Sequence, residues 1–343
     1  YYNLANTLRE KKDIKAAISS YKNAIEIQPD YADAFLNLGF SELVLGNYQD
    51  GWEHYEWRWK TKEKRQAHAS PGIERWEGST ITPKDKLLII TEQGFGDTIQ
   101  YMRYILYLRK QGFDISFCAQ PKLHTLIKAS NIHPNPITPE EANLITTGKW
   151  MPLLSLPKYL GVNPNNPIIN TPYIKSTNAL NEKWKEILSK EKRPIIGINW
   201  QGNPIVEKRG LKGRSLPLEI FSKINPGEGR FLSLQKGFGS EQLNDCSFRD
   251  KFVDCQDLVS NTWDFLETAA IIENCDLVIT CDTSVAHLAG GMGKEVWLLL
   301  RDVPYWTWGM EGDTTFWYPS MKLFRQKERH NWQVVMERVS SAL

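Results

Sequence analysis

Asp97, Arg214, Lys236 and the run Asp282-Thr283-Ser284-Val285-Ala286-His287 are the residues through which this chain would handle a proton and a phosphate. Asp282, Thr283 and Ser284 are good N-cap residues, and the Ala/Leu/Gly stretch behind them suits a helix packed closely on a sheet. A helix start at the carboxyl end of a strand offers free N–H groups and a positive dipole end, a site for a phosphate or diphosphate. Capping alone also explains the same three residues. His287 lies within the first turn and a half, near where a ligand would sit, or serves as a structural histidine. Gly94 and Gly96 permit close backbone approach, and Asp97 then heads a helix, either as a plain cap or as a carboxylate that takes a proton from a hydroxyl. The loop 207–215 supplies cations and glycines, so Arg214 either grips a diphosphate with its fork or belongs to an exposed basic loop. Gln235 and Lys236 directly follow an apolar run and are placed for a phosphate or ribose.

The elements that must hold these residues read as parallel α/β units. Short apolar runs without alternation mark strands covered on both faces at Lys86–Thr91, Asp114–Ala119, Ile195–Trp200, Arg230–Gln235, Asp276–Cys281 and Val296–Leu300. Helical patterns fall between them, including 99–110 and 180–190. Ligands of open parallel sheets bind beyond the carboxyl ends of the strands. Those ends carry Glu92–Asp97 with Gln93, Trp200-Gln201-Gly202-Asn203, Gln235–Lys236, Asp282–His287 and Arg301-Asp302-Val303-Pro304-Tyr305-Trp306. Together they predict a cleft between two facing units. The aromatic residues Tyr305, Trp306, Trp308, Trp317 and Tyr318 would line a sugar site or build a core. No D-x-D occurs in the sequence, so a divalent metal clamp on a diphosphate is not indicated.

Residues 1–66 carry a 34-residue repeat in which Leu4, Ala5, Ala17 and Tyr21 shift onto Leu38, Gly39, Gly51 and Tyr55. Small residues in each helix, a late aromatic and Pro29 at the junction are the pattern of tetratricopeptide repeats, helix pairs that stack on their neighbours. Such stacks usually need about three repeats, and the chain begins at Tyr1. A longer array in front of it is therefore expected. Trp52, Tyr55 and Trp59 form one helix stripe, expected to dock the array onto the next domain. Residues 67–85 read as a linker, 86–178 as a first α/β domain, 179–328 as a second and 329–343 as a final helix whose apolar stripe needs a surface.

With 41% apolar and 24% charged residues the chain is globular, and a net charge of +2 provides no field for nucleic acid. No apolar run approaches the ~20 residues of a membrane span. The five cysteines, Cys118, Cys246, Cys255, Cys275 and Cys281, show no C-x-x-C spacing and read as reduced core thiols of a cytoplasmic protein.

The segments E-Q-G-F-G-D-T-I-Q-Y at 92–101, W-Q-G-N-P at 200–204, R-S-L-P at 214–217, S-L-Q-K-G at 233–237, D-T-S-V-A-H-L-A-G at 282–290 and W-Y-P-S-M-K-L-F-R-Q at 317–326 give the chain a family likeness. It resembles tetratricopeptide-repeat proteins with a glycosyltransferase domain related to the bacterial ADP-heptose heptosyltransferases of glycosyltransferase family 9. The resemblance implies an α/β fold of GT-B type, two facing Rossmann-like domains after an all-α repeat segment, with the last helix crossing back to the first domain. It also implies metal-independent, inverting transfer from a nucleotide-sugar, with no cofactor. On this resemblance Asp97 is the base. The donor is held by Gly94, Gly96, Trp200, Gly202, Asn203, Arg214, Gln235, Lys236, Asp282, Thr283, Ser284 and His287, while Gln93, Asp302, Tyr305 and Trp306 contact sugar or acceptor. The pattern departs at Thr307, which stands between two tryptophans where the family carries an arginine. The repeats suggest a protein or peptide acceptor. The competing expectations are a non-catalytic repeat scaffold with an inert α/β part and a nucleotide-sugar epimerase-like enzyme.

Overall fold

The computed structural model describes residues 1–63, 66–78, 82–208 and 212–343. Four antiparallel helices open the chain: α1 Tyr2–Glu10, α2 Ile14–Ile27, α3 Ala32–Val44 and α4 Tyr48–Tyr55. Ala5, Ala17 and Tyr21 are fully buried between them, which is why the 34-residue repeat keeps small residues there. The aromatic stripe docks as expected, with Trp52 and Tyr55 on α4 and Trp59 on the 3-10 turn Glu56–Trp59 that follows it. Trp52 Nε1 donates to the Val162 carbonyl at 2.8 Å, its ring meets Trp306 edge-on at 5.2 Å, and Trp59 meets Trp150 at 6.0 Å.

The first sheet contains β1 Lys86–Ile90, β2 Asp114–Cys118 and β3 Lys149–Pro152, all parallel in the order β2-β1-β3. Between β1 and β2 the expected single helix is two, α5 Phe95–Tyr101 and α6 Arg103–Lys110, interrupted at Met102. A further helix, α7, spans Asn178–Leu188. The second sheet contains β4 Ile195–Asn199, β5 Arg230–Ser233, β6 Leu277–Cys281, β7 Val296–Leu300 and β8 Met321–Arg325. Its strands are parallel in the order β5-β4-β6-β7-β8, the doubly wound order in which chain direction switches between the first and third strands. Helices α8 Phe265–Glu273 and α9 Ser284–Gly291 belong to this domain, and α10 Trp332–Ala342 ends the chain.

Alternate residues of the second sheet serve two cores. Val278, Val296, Leu298 and Leu300 join one that runs unbroken through α8, α9, the first domain and Trp52 and Tyr55 of the repeats. Ile196, Ile198, Ile279, Trp297 and Leu299 face the other side, where Trp332, Val335, Met336 and Val339 of α10 cover them. The expected return of the last helix to the first domain is thereby corrected. Among the described residues that outer face is otherwise covered by short segments such as Leu218–Lys223, and burying it takes up Trp332, Val335, Met336 and Val339 of the stripe, while Leu343 stays exposed. The architecture is two parallel α/β domains facing one another, preceded by helical repeats that rest on both.

Candidate functional site

The carboxyl ends of both sheets open into one cavity of about 1300 Å³. Its walls include Gly94, Gly96, Asp97 and Gln100 from the first domain, Arg214, Lys236, Thr283 and His287 from the second, and Arg9, Asp33, Asn37 and Phe40 from the repeats. α5 and α9 meet at its floor. A Cβ on Gly96 would stand 3.1 Å from His287 Cδ2 and 3.5 Å from Ser284 Cα, so glycine there lets the two helix starts touch.

Asp97 occupies the third position of α5, and its Oδ2 accepts the Gly94 N–H at 3.1 Å. The capping reading thus holds for that oxygen, while the residue also lines the cavity. Across from it Thr283 is the N-cap of α9, yet its side chain does not cap: Oγ1 donates to Asn199 Oδ1 at 2.8 Å. That hydrogen bond joins the ends of β6 and β4 at the switch point, and the Thr283 side chain makes no cap hydrogen bond to the first turn of α9. Thr283, Ser284 and Val285 border the cavity there, while the Ala286 N–H turns back to the Thr283 carbonyl at 3.1 Å. Asp282 is buried, and burial raises its carboxyl above the usual range against the pull of Arg214.

Arg214 reaches the same place, with Nη1 donating to the Asp282 carbonyl at 3.1 Å and Nε 3.3 Å from Glu207 Oε1. Its guanidinium lies over Gly202, where a Cβ would come within 2.5 Å of Nη2. Of its basic loop, residues 209–211 lie outside the described residues. Lys236 Nζ donates to the Val259 carbonyl, and burial lowers its ammonium to about 8. Asn203 lines the cavity but its Oδ1 accepts the Ile205 N–H at 2.9 Å. Gln93 lines it too, donating to Tyr55 of the repeats at 2.9 Å.

His287 is buried, with Nδ1 2.9 Å from the Tyr318 hydroxyl and its ring stacked on Trp308. Burial, then the nearby Arg103 and Arg214, lower its imidazole to about 3, so it is neutral. Between that value and the ordinary ~6.5 only the unfolded chain takes up the proton, and stability falls as pH drops through this window. We expect roughly 2 kcal/mol of acid destabilisation from this group between pH 6.5 and 5. Unfolding curves of the parent and His287→Gln at pH 7 and 5 check it: the variant loses that part of the pH dependence, and equal slopes refute the assignment.

Three expected contacts are corrected. Trp200 is fully buried in the outer core with its indole on the Gly239 carbonyl, and is absent from the cavity wall. Gln235 borders the cavity, but Oε1 accepts from Asn199, Trp200 and Gln201 and Nε2 donates to Gln201 and Phe238, so it shapes the loop instead of meeting a ligand. Asp302 faces away, pairing with Arg329 at 3.1 Å and Lys12 of the repeats at 3.6 Å. Tyr305 and Trp306 do line the cavity, and Trp306 also packs on Trp52 and Tyr55. Trp317 and Tyr318 turn instead toward Arg103, a buried arginine that donates to the Trp317 carbonyl at 2.8 Å and sits 4.7 Å from the Tyr318 ring. Arg103 lies in an amphipathic helix where sequence reading assigned no role, and only its partners across the domain boundary distinguish it.

Fold and site together define a repeat-bearing, two-domain α/β protein with a polar cavity at its strand ends. Residues 1–42 match the TPR repeat family. Over the full chain there is 24% identity to Protein FlbA of Caulobacter vibrioides, of whose length the chain spans 61%. Among solved structures, the glycosyl transferase family 9 protein of Veillonella parvula is similar at TM-score 0.49 and 12% identity, covering 73% of this chain and 88% of that one. The E. coli ADP-heptose LPS heptosyltransferase II is similar at 0.49 and 11%, covering 74% and 98%. TibC of enterotoxigenic E. coli, an iron-containing dodecameric glycosyltransferase, is similar at 0.46 and 10%, covering 77% and 66%. No helix among the described residues is long and apolar enough to cross a membrane.

Proposed function

We propose that the chain is a glycosyltransferase that moves a sugar from a nucleoside-diphosphate donor to a hydroxyl on a protein or peptide. The observation that carries this reading is the shared cavity in which a carboxylate, the start of α9 and a fixed arginine face one another beside the repeat helices. The acceptor oxygen attacks the anomeric carbon while its proton passes to Asp97; the bond from that carbon to the diphosphate oxygen breaks on the opposite face, which inverts the centre. The first amides of α9, Arg214 and Lys236 receive the negative charge of the departing diphosphate, so no divalent metal is required. Asp33, Asn37 and Phe40 of α3 put the repeat surface on the wall of the same cavity, which favours a polypeptide acceptor led in along the array.

The test is thermal unfolding with nucleoside diphosphates and their sugars, followed by mass analysis of serine- and threonine-containing peptides incubated with any stabilising donor. A ligand at one hundred times its dissociation constant stabilises by about 2.7 kcal/mol. Arg214→Ala is expected to weaken nucleoside diphosphate binding by roughly 1.5–3 kcal/mol, and EDTA to leave transfer in place. No stabilisation by any member of the panel would remove the donor reading. Transfer to free saccharides but never to peptides would remove the protein acceptor.

A further inference from the structure

Gln100 and Trp306 line the cavity from different domains, and each carries a buried N–H donor, Nε2 and Nε1, with no partner among the described residues. The Tyr101 and Tyr104 hydroxyls are also without partners, but neither of those side chains reaches the cavity. Gln100 is 2% exposed, and its backbone carbonyl accepts Arg103 Nε at 2.8 Å. On α5 it stands three residues after Asp97, hence on the same helix face and one turn deeper. Leaving a buried amide donor unsatisfied is costly, and native folds rarely do so without a reason outside the free chain. Leucine has nearly the same size and would carry no such cost.

We infer that Gln100 is a substrate-contacting residue that donates a hydrogen bond to a hydroxyl oxygen of the transferred sugar, with the Trp306 indole as a second donor. The inference rests on the nucleotide-sugar reading above and adds the group that recognises the sugar. The phosphate end of a donor belongs at α9 and Arg214, and the proton acceptor is Asp97 in the first turn of α5. A sugar spanning the two lies against the next turn of α5, where Gln100 is. An amide and an indole N–H are satisfied by hydroxyl oxygens and cannot be satisfied by apolar groups or ammonium. Both N–H atoms are shielded from solvent in the free chain, so the contact requires each side chain to turn toward the sugar as it binds.

Calorimetry on the full chain with ADP and ADP-glucose, GDP and GDP-mannose, and UDP and UDP-N-acetylglucosamine separates nucleotide from sugar. For the pair that binds, Gln100→Leu is expected to keep the affinity for the bare diphosphate and to lose about tenfold of the gain contributed by the sugar. Without ligand, the same variant is expected to unfold at a temperature higher by roughly 2–4 °C, because the orphaned amide is gone. An unchanged sugar contribution, or a lower unfolding temperature that reveals an internal partner for the amide, overturns the assignment. If Gln100→Leu fails to fold, Gln100→Met removes both donors at nearly constant size without burying a charge, and the same loss or its absence decides. A parent that binds none of the diphosphates overturns the donor reading and this inference with it; a parent that binds them while the variants keep the full sugar contribution overturns this inference alone.

Discussion

Asp97→Asn is expected to bind the nucleoside diphosphate as the parent does and to transfer sugar about 10²–10⁴-fold more slowly. The asparagine keeps an oxygen that accepts the Gly94 N–H, so the start of α5 and the contact of Gly96 with α9 are retained. Only the ability to take a proton is removed. Asp97→Ala removes both, and the comparison separates the chemical loss from the structural one: the alanine variant is expected to lose stability as well as rate. Steady-state transfer and donor affinity, measured side by side, check the prediction. An asparagine variant with the parent's rate would leave Asp97 as a cap and nothing more, and the proton would have to go elsewhere.

Arg58→Ala is expected to cost about 3–5 kcal/mol of stability. Arg58 is completely buried just after α4 and holds both oxygens of Glu92 at 2.9 Å, while its Nη1 reaches Glu56 at 2.6 Å and its Nη2 reaches Ser155 at 2.8 Å. Glu92 in turn accepts the Leu154 N–H at 3.2 Å and stands directly before the Gln93–Asp97 turn. Truncating the arginine strands the Glu92 carboxylate in the interior, whereas Glu56 keeps Arg75 at 2.9 Å. Because the pair joins the repeats to the turn that bears Asp97, transfer should fall together with stability. Replacing both partners by apolar residues, Arg58→Met with Glu92→Leu, is expected to recover most of the stability, since no charge is then left buried alone. Chemical unfolding of the single and double variants decides; a single variant within 1 kcal/mol of the parent would mean that the array is held by its aromatic contacts only.

The same pair shows why the repeats are more than an appendage in this chain. Trp52 and Tyr55 enter the core shared by both α/β domains, Arg58 pairs with Glu92 of the first, and Lys12 and Glu10 reach Asp302 and Arg329 beside the second. The array therefore touches each half of the cleft. An acceptor gripped by the repeats would be held in a fixed relation to Asp97 rather than delivered on a loose tether.

Much of this protein was determined by local sequence. The strands β1, β2 and β4–β7 were legible because a strand buried on both faces must be an unbroken apolar run, and the residues at their ends follow from chain connectivity alone. The 34-residue repeat was legible because close helix packing requires small residues at a fixed period. β3 and β8 were not, since neither is an unbroken apolar run: one ends in Pro152 and the other alternates an exposed Lys322 with buried neighbours. What tertiary structure alone decided is the partner of each polar group. Gln235 and Gln100 have the same side chain and both border the cavity, yet one amide is fully hydrogen-bonded by the loop after β4 and the other has an unpaired donor. Asp302 and Asp97 both follow strand ends, and only one lines the cavity, because Lys12 and Arg329 draw the other toward the repeats. Hydrogen bonds and ion pairs act over a few ångströms between residues far apart in sequence, so their pairing exists only once the chain has folded.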